Sequence, residues 1–108
     1  MIKNEQLQEC PVATTVQLIG SKWKLLILRD LLTGTKRYGE LKRSLTGISQ
    51  KVLTASLKSM VEDGIVIRKD YAQVPPKVEY SLSELGESMR PVIEAMEQWG
   101  NEYKKAKK

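Results

Sequence analysis

The hydrophobic period of this chain changes at Gly64, from about 3.6 residues before it to about 2 after it. Upstream, Ile48 to Gly64 reads ISQKVLTASLKSMVEDG, with Leu53, Leu57, Met60 and Val61 spaced as one buried stripe of a helix. Ser49 is placed to cap that helix and Ile48 to staple onto Leu53. Gly64 can take the left-handed conformation that stops it, with Ile65 folding back towards Met60. These signals predict a helix over 49–63. Downstream, Ile65 to Ala72 (IVIRKDYA) and Lys77 to Leu82 (KVEYSL) alternate as strands do, with Val78, Tyr80 and Leu82 on one face. Pro75 and Pro76 between them cannot join a ladder and mark a hairpin tip. A helix followed directly by a hairpin over 65–82 is the pattern to be explained.

The outward arc of the 49–63 helix carries Lys51, Thr54, Ala55 and Lys58, with Gln50 at its edge in the first turn. Cations and short polar groups on one arc suit phosphates and base edges. Alone, such an arc also describes an ordinary solvated lysine face. Its setting favours the first reading. YGELKRSL places Tyr38, Leu41 and Leu45 on one helical face, and Thr46-Gly47-Ile48 is a short turn before Ser49. Helix, glycine-containing turn and helix make a helix-turn-helix, with the second helix as the reader. The hairpin adds a wing, and Lys77 beyond its prolines is placed to touch the DNA backbone or minor groove. The expected fold is a winged helix-turn-helix, mainly α with a small β-hairpin (α+β).

The remaining segments supply a core and a second surface. Cys10 caps a short helix that opens on Pro11 and runs through Ile19; Gly20 breaks it and Ser21 caps the next. That next helix, KWKLLILRDLL, is apolar around most of its circumference through Trp23, Leu25, Leu26, Ile27, Leu28, Leu31 and Leu32, and should form the centre of the core. After the wing, Ser83 caps a last helix over 83–106, in which Pro91 should introduce a kink or a division. Continuous, that helix would be roughly 35 Å long. Its stripe includes Ile93, Met96, Trp99 and Tyr103, more apolar surface than a small domain covers by itself. These four are candidate dimerisation residues, with the first helix beside them; a stripe packed wholly inside one protomer is the alternative. Residues 1–9 are expected to form a flexible arm, 10–103 the domain and 104–108 a frayed basic tail.

Composition narrows the function. In 108 residues, 41% hydrophobic and 29% charged, there is material for one domain with one core. No apolar run approaches the ~20 residues needed to span a bilayer, and the opening is too polar for a signal peptide, so a cytoplasmic protein with no membrane partner is expected. The single cysteine excludes an internal disulfide. With no histidine, a zinc site and Ser-His-Asp or Cys-His catalytic sets are excluded, so neither an enzyme nor a metal or cofactor is expected. The net charge of +5 is segregated. From Lys36 to Lys69 there are Lys36, Arg37, Lys42, Arg43, Lys51, Lys58, Arg68 and Lys69 against Glu40, Glu62 and Asp63; from Ser83 to Tyr103 there are Glu84, Glu87, Glu94, Glu97 and Glu102 against Arg90. A basic middle fits a nucleic-acid face and an acidic helix after it fits a surface turned from phosphate.

The run CPVATTVQLIGSKWKLLILRDLLTGTKRYGELKRSLTGISQKVLTASLKSMVEDGIV, followed by VPPKVEYSLSELG and Trp99-Gly100, resembles the HxlR-type transcriptional regulators, small bacterial winged-helix proteins related to the MarR group. The resemblance covers Cys10 to Gly100. It implies a homodimer on a pseudo-palindromic double-stranded DNA site, with Ser49, Gln50, Lys51 and Thr54 facing the groove and Lys77 on the wing. Lys58 adds a phosphate contact on the same helix. Some members sense oxidants or electrophiles through a cysteine near the N-terminus, and Cys10 occupies a comparable place. At the positive end of a helix it is a candidate redox-sensing thiol, against an inert, half-buried one. Two other functions stay open: a winged helix used as a protein-interaction module, and a regulator controlled by a small-molecule effector of unknown identity.

Overall fold

In the computed structural model, which describes residues 7–107, the chain runs α1 (Pro11–Ile19), α2 (Lys22–Leu31), β1 (Lys36–Arg37), α3 (Tyr38–Ser44), α4 (Gln50–Glu62), β2 (Val66–Asp70), β3 (Val78–Leu82), α5 (Glu84–Glu87) and α6 (Arg90–Ala106). Most of the expected arm, residues 1–6, and Lys108 of the tail lie outside the described residues. Within the described part of the arm, the Gln8 carbonyl accepts the Thr14 hydroxyl at 2.8 Å. Pro11 opens α1, where its missing N–H has no helical partner to lose. Three serines cap as their positions predict: Ser21 accepts from the Lys24 N–H, Ser49 from Val52 and Ser83 from Gly86, each at 3.1 Å. The stop of α4 follows its local signal as well. Gly64 has φ 78°, its N–H donates to Val61 and that of Ile65 to Met60, both at 3.0 Å, the paired bonds of a Schellman motif.

The core gathers around α2. Its Ile27, Leu28 and Leu31 meet Leu41 and Leu45 from the α3 segment, Leu53, Leu57 and Met60 from α4, Ile65 and Val66 at the start of the hairpin, and Ile93 from α6, all buried. Burial of this kind is worth about 1.5–3 kcal/mol for each such side chain, so the orientation of α4 is set by its inner face. The sheet has three antiparallel strands in the order β1-β3-β2. The third strand has no counterpart among the expected elements: Lys36 and Arg37 pair with Tyr80 and Glu79. The hairpin strands are shorter than the expected 65–72 and 77–82. β2 ends at Asp70 because the Asp70 carboxylate captures the Ala72 N–H at 2.8 Å and Ala72 turns to φ 50°, although Tyr71 still donates to the Lys77 carbonyl at 2.9 Å.

The expected helix over 83–106 is divided, and α5 and α6 are its two pieces. Pro91 cannot donate within a continuous helix but is harmless in the first turn of a new one, which is where it sits in α6. Met89 closes α5 with a short bond to the Gly86 carbonyl at 3.1 Å. Arg90 then anchors α6, its guanidinium donating to the Leu32 carbonyl at 3.1 Å and pairing with Glu87 at 3.0 Å. At about 25 Å, α6 is shorter than a continuous helix would be, and it takes in Lys104 to Ala106, part of the tail expected to fray. Lys104 and Lys105 sit in its last turn, where cations suit the negative end of the helix.

The root of the hairpin is tied to both helical halves through Ser83. Its hydroxyl donates to the Gly64 carbonyl at 2.5 Å and accepts the Gly86 N–H, while its own N–H donates to the Ile65 carbonyl at 3.0 Å. Gly86 is buried so close to the Ile65 carbonyl that a Cβ would collide with it. This knot joins the stop of α4, the start of β2 and the first turn of α5.

Candidate nucleic-acid interface

The structure brings Ser49, Gln50, Lys51, Thr54 and Lys58 together on one exposed arc of α4. The opposite side, with Leu53, Ser56, Leu57 and Met60, is buried. From behind, the Lys24 ammonium on α2 donates to the Ser59 hydroxyl at 2.8 Å and fixes the middle of α4. From the side, the Tyr38 hydroxyl reaches α4 from the start of α3, 3.2 Å from the Gln50 carbonyl and 3.1 Å from Thr54 Oγ1. Tyr38 is held where it is by the preceding residue: the Arg37 N–H donates to the Glu40 carboxylate at 2.9 Å. Arginine has no acceptor to return, so only that half of a capping box can form. Sequence periodicity assigned Tyr38 to the inner face of α3, and its ring does pack against the core. The reach of its hydroxyl to Thr54 left no trace in the periodicity.

The wing meets the α4 arc through Arg68. A crevice between α4 and the sheet is lined by Thr54, Lys58, Glu62, Arg68 and Tyr80, and Arg68 stands opposite Tyr80 in the strand register. Arg68 is one base of the basic middle segment. Lys77, the expected wing contact, lies elsewhere. Its ammonium sits 4.4 Å from the centroid of the Tyr71 ring, and that of Lys69 sits 4.7 Å from the same centroid. The Tyr71 hydroxyl donates to Glu79 at 2.5 Å, and Glu79 is flanked in register by Arg37 and Lys69. Hydrogen bonding to that carboxylate, with lesser contributions from burial and from the Glu79 charge, raises the Tyr71 pKa above its ordinary 10.0, against a small lowering by Arg37. Arg37, Lys69 and Lys77 thus gather on the side of the wing that carries Tyr71 and Glu79.

A second surface is apolar. On α1, Val12 and Val16 are 72% and 60% exposed; on α6, Val92, Met96, Trp99 and Tyr103 are exposed too, with Trp99 at 65%. Trp99 and Tyr103 stack at 5.4 Å between centroids, and Pro91, Val92, Ala95, Met96 and Trp99 line a shallow trough. Ile93 differs from the other three candidates on its stripe: it is 8% exposed and packs in the protomer's own core, one turn after the Arg90 bond to the Leu32 carbonyl. Glu94, Glu97 and Glu102 lie along another, polar side of α6. Cys10 is exposed at the head of α1, beside Val12 in sequence, and makes no side-chain cap bond. Among the described residues no helix is long and apolar enough to cross a membrane, and no group of three or more metal-ligating side chains comes together.

Comparison with known proteins gives a consistent set of relatives. The model of the family described as HxlR-like helix-turn-helix matches residues 18–108. The uncharacterized HTH-type transcriptional regulator YdeP of Bacillus subtilis (strain 168) is 45% identical over 101 residues, covering 94% of this chain and 79% of YdeP. Among solved structures, the redox regulator HypR in its oxidized form superposes with a TM-score of 0.82 at 44% identity, covering 86% of this chain and 96% of HypR. HypR in its reduced form superposes at 0.85 and 42% identity, covering 88% and 94%.

Proposed function

Because this chain belongs to the HxlR-like helix-turn-helix family and is a transcriptional regulator with a winged helix-turn-helix fold, we propose that it acts as a homodimer that binds a pseudo-palindromic double-stranded DNA operator. The observation that carries this reading is the exposed arc of α4, on which Ser49, Gln50, Lys51, Thr54 and Lys58 stand together with Arg68 of the wing across a crevice. Polar groups at the start of the helix read base edges, and Lys51, Lys58 and Arg68 neutralise phosphates. Ser49 accepts the Val52 N–H with its oxygen, which leaves its hydroxyl proton to donate to a phosphate. Lys77 contacts the backbone from the outer side of the wing, together with Lys69. Dimerisation through α1 and α6 is supported by the exposed Val12, Val16, Met96, Trp99 and Tyr103, an apolar surface that a monomer has no reason to present.

Cys10 makes this regulator responsive to oxidants or electrophiles in the proposal. It is exposed at the head of α1, next to the apolar surface that would join the protomers, and the similar HypR is a redox regulator solved in two oxidation states. As the only cysteine, it can form a disulfide with its twin or with a small thiol, and either would shift the spacing of the two α4 helices. The test is selection of bound duplexes from a random pool with reduced and diamide-treated protein, wild type and Cys10→Ser. A dyad motif with half-sites about one helical turn, ~10 bp, or a multiple apart is expected. Treatment should weaken binding by the wild type and leave Cys10→Ser unchanged. Selection of no dyad rejects the operator reading, and equal affinity before and after treatment rejects the switch.

A further inference from the structure

Which bases Thr54 recognises follows from Tyr38, provided that α4 reads DNA as proposed. A threonine hydroxyl is ordinarily ambiguous towards a base edge, because it can give a proton or take one. In a helix it often returns its proton to the carbonyl four residues back, here Gln50. The Tyr38 hydroxyl occupies that carbonyl instead, at 3.2 Å, and lies 3.1 Å from Thr54 Oγ1. A carbonyl only accepts, so both contacts are hydrogen bonds at once only with the single phenol proton in the Gln50 bond. The phenol oxygen is left to accept, and the Thr54 hydroxyl supplies the proton of the second bond. The Tyr38 ring is packed against the core, which keeps the hydroxyl in place, while Thr54 remains exposed.

We infer that Tyr38 is a specificity-determining positioning residue: by taking the Thr54 hydroxyl proton it leaves Thr54 only lone pairs and a methyl group to present to the groove. Thr54 then selects, on the strand it contacts, a base with an amino donor in the major groove, adenine or cytosine. Guanine presents two acceptors there, and thymine, although its methyl group can meet that of Thr54, sets its O4 against a lone pair. Tyr38 acts through Thr54 and needs no DNA contact of its own.

Duplex selection with wild type, Tyr38→Phe, Thr54→Val and the double variant tests this. One position in each half-site should prefer adenine or cytosine with wild type and lose that preference with Thr54→Val. Tyr38→Phe keeps the ring packed against the core but frees the Thr54 proton, so guanine or thymine should be admitted there and discrimination should fall about fivefold, the equivalent of one hydrogen bond. In the Thr54→Val background, Tyr38→Phe should change nothing further. An unchanged preference in Tyr38→Phe overturns the inference, as does a wild-type preference for guanine or thymine at the Thr54-dependent position, or a Thr54→Val variant that alters no position. A wild type that selects no motif at all overturns the operator reading, and the inference with it; the first three outcomes leave that reading standing.

Discussion

Lys24 on α2 and Ser59 on α4 are 35 positions apart in the chain and share a hydrogen bond of 2.8 Å. The bond fixes the central core helix to the back of the helix whose other face carries the candidate DNA contacts. A charged donor to a half-buried hydroxyl is worth more than a neutral pair, though partial exposure reduces it. Ser59→Ala should therefore lower stability by about 1 kcal/mol, read as a lower urea midpoint at unchanged slope. A midpoint equal to wild type would mean that water serves Lys24 equally well and that the inner face alone holds α4.

Phosphate contacts have a signature that base contacts lack. Lys58→Ala, Arg68→Ala and Lys77→Ala should each weaken binding to all duplexes by similar factors and reduce the slope of log affinity against log salt by roughly one. Arg68 lines the α4 crevice, so its effect should equal that of Lys58. An unchanged slope for Lys77→Ala would place the outer side of the wing away from DNA.

Two residues on the same α6 stripe should behave in opposite ways. Trp99 is 65% exposed and Ile93 only 8%. Trp99→Glu should yield a folded monomer by sedimentation, with helical circular dichroism retained. Ile93→Ala should remain dimeric while losing about 2–5 kcal/mol of stability, the usual cost of truncating a buried isoleucine. A dimeric Trp99→Glu would move the dimer interface off α6.

Tyr71 gives the wing a titration of its own. Its pKa is raised, first by the hydrogen bond to Glu79. The neutral phenol is the form the folded wing favours, so the stabilisation is complete below the unfolded value of about 10 and is lost as pH rises through the higher folded value. The ultraviolet phenolate difference between wild type and Tyr71→Phe should appear above the ordinary tyrosine range. Glu79→Gln should bring it back down. A normal midpoint in the wild type would mean that the Tyr71–Glu79 bond does not persist in solution.

What was legible in the sequence was mostly local. Ser49 and Gly64 carry the start and stop of α4 in their own side-chain chemistry, and Pro91 announces the break between α5 and α6. Non-local pairing left weaker traces. Two residues, Lys36 and Arg37, are too few to show a period, and they become a strand only because β3 lies beside them. Lys77 stands out in the sequence by its nearness to the hairpin prolines, whereas strand register sets Arg68 opposite Tyr80, on the side where α4 lies. Ile93 falls on a wide apolar stripe, and which edge of it turns inward depends on how α6 crosses the core. Tyr38 was legible as an apolar ring, but the partner of its hydroxyl depends on how α3 and α4 cross.

The knot at Ser83 makes the hairpin a lever with a fixed fulcrum. Five residues of β2 at ~3.3 Å each carry the end of the strand roughly 17 Å from that root. A tilt of about 10° there displaces the end of β2 by roughly 3 Å, the length of one hydrogen bond, while the fulcrum itself stays pinned between Gly64 and Gly86. The pairing of β3 with Lys36 and Arg37 opposes such a tilt as far as Glu79 and leaves only the residues beyond it without a third strand. Substitutions beyond Lys69 and Glu79 act at the wing tip, away from the crevice that Arg68 shares with α4, whereas a side chain added at Gly86 would move the fulcrum and disturb the start of β2 and the stop of α4 at once.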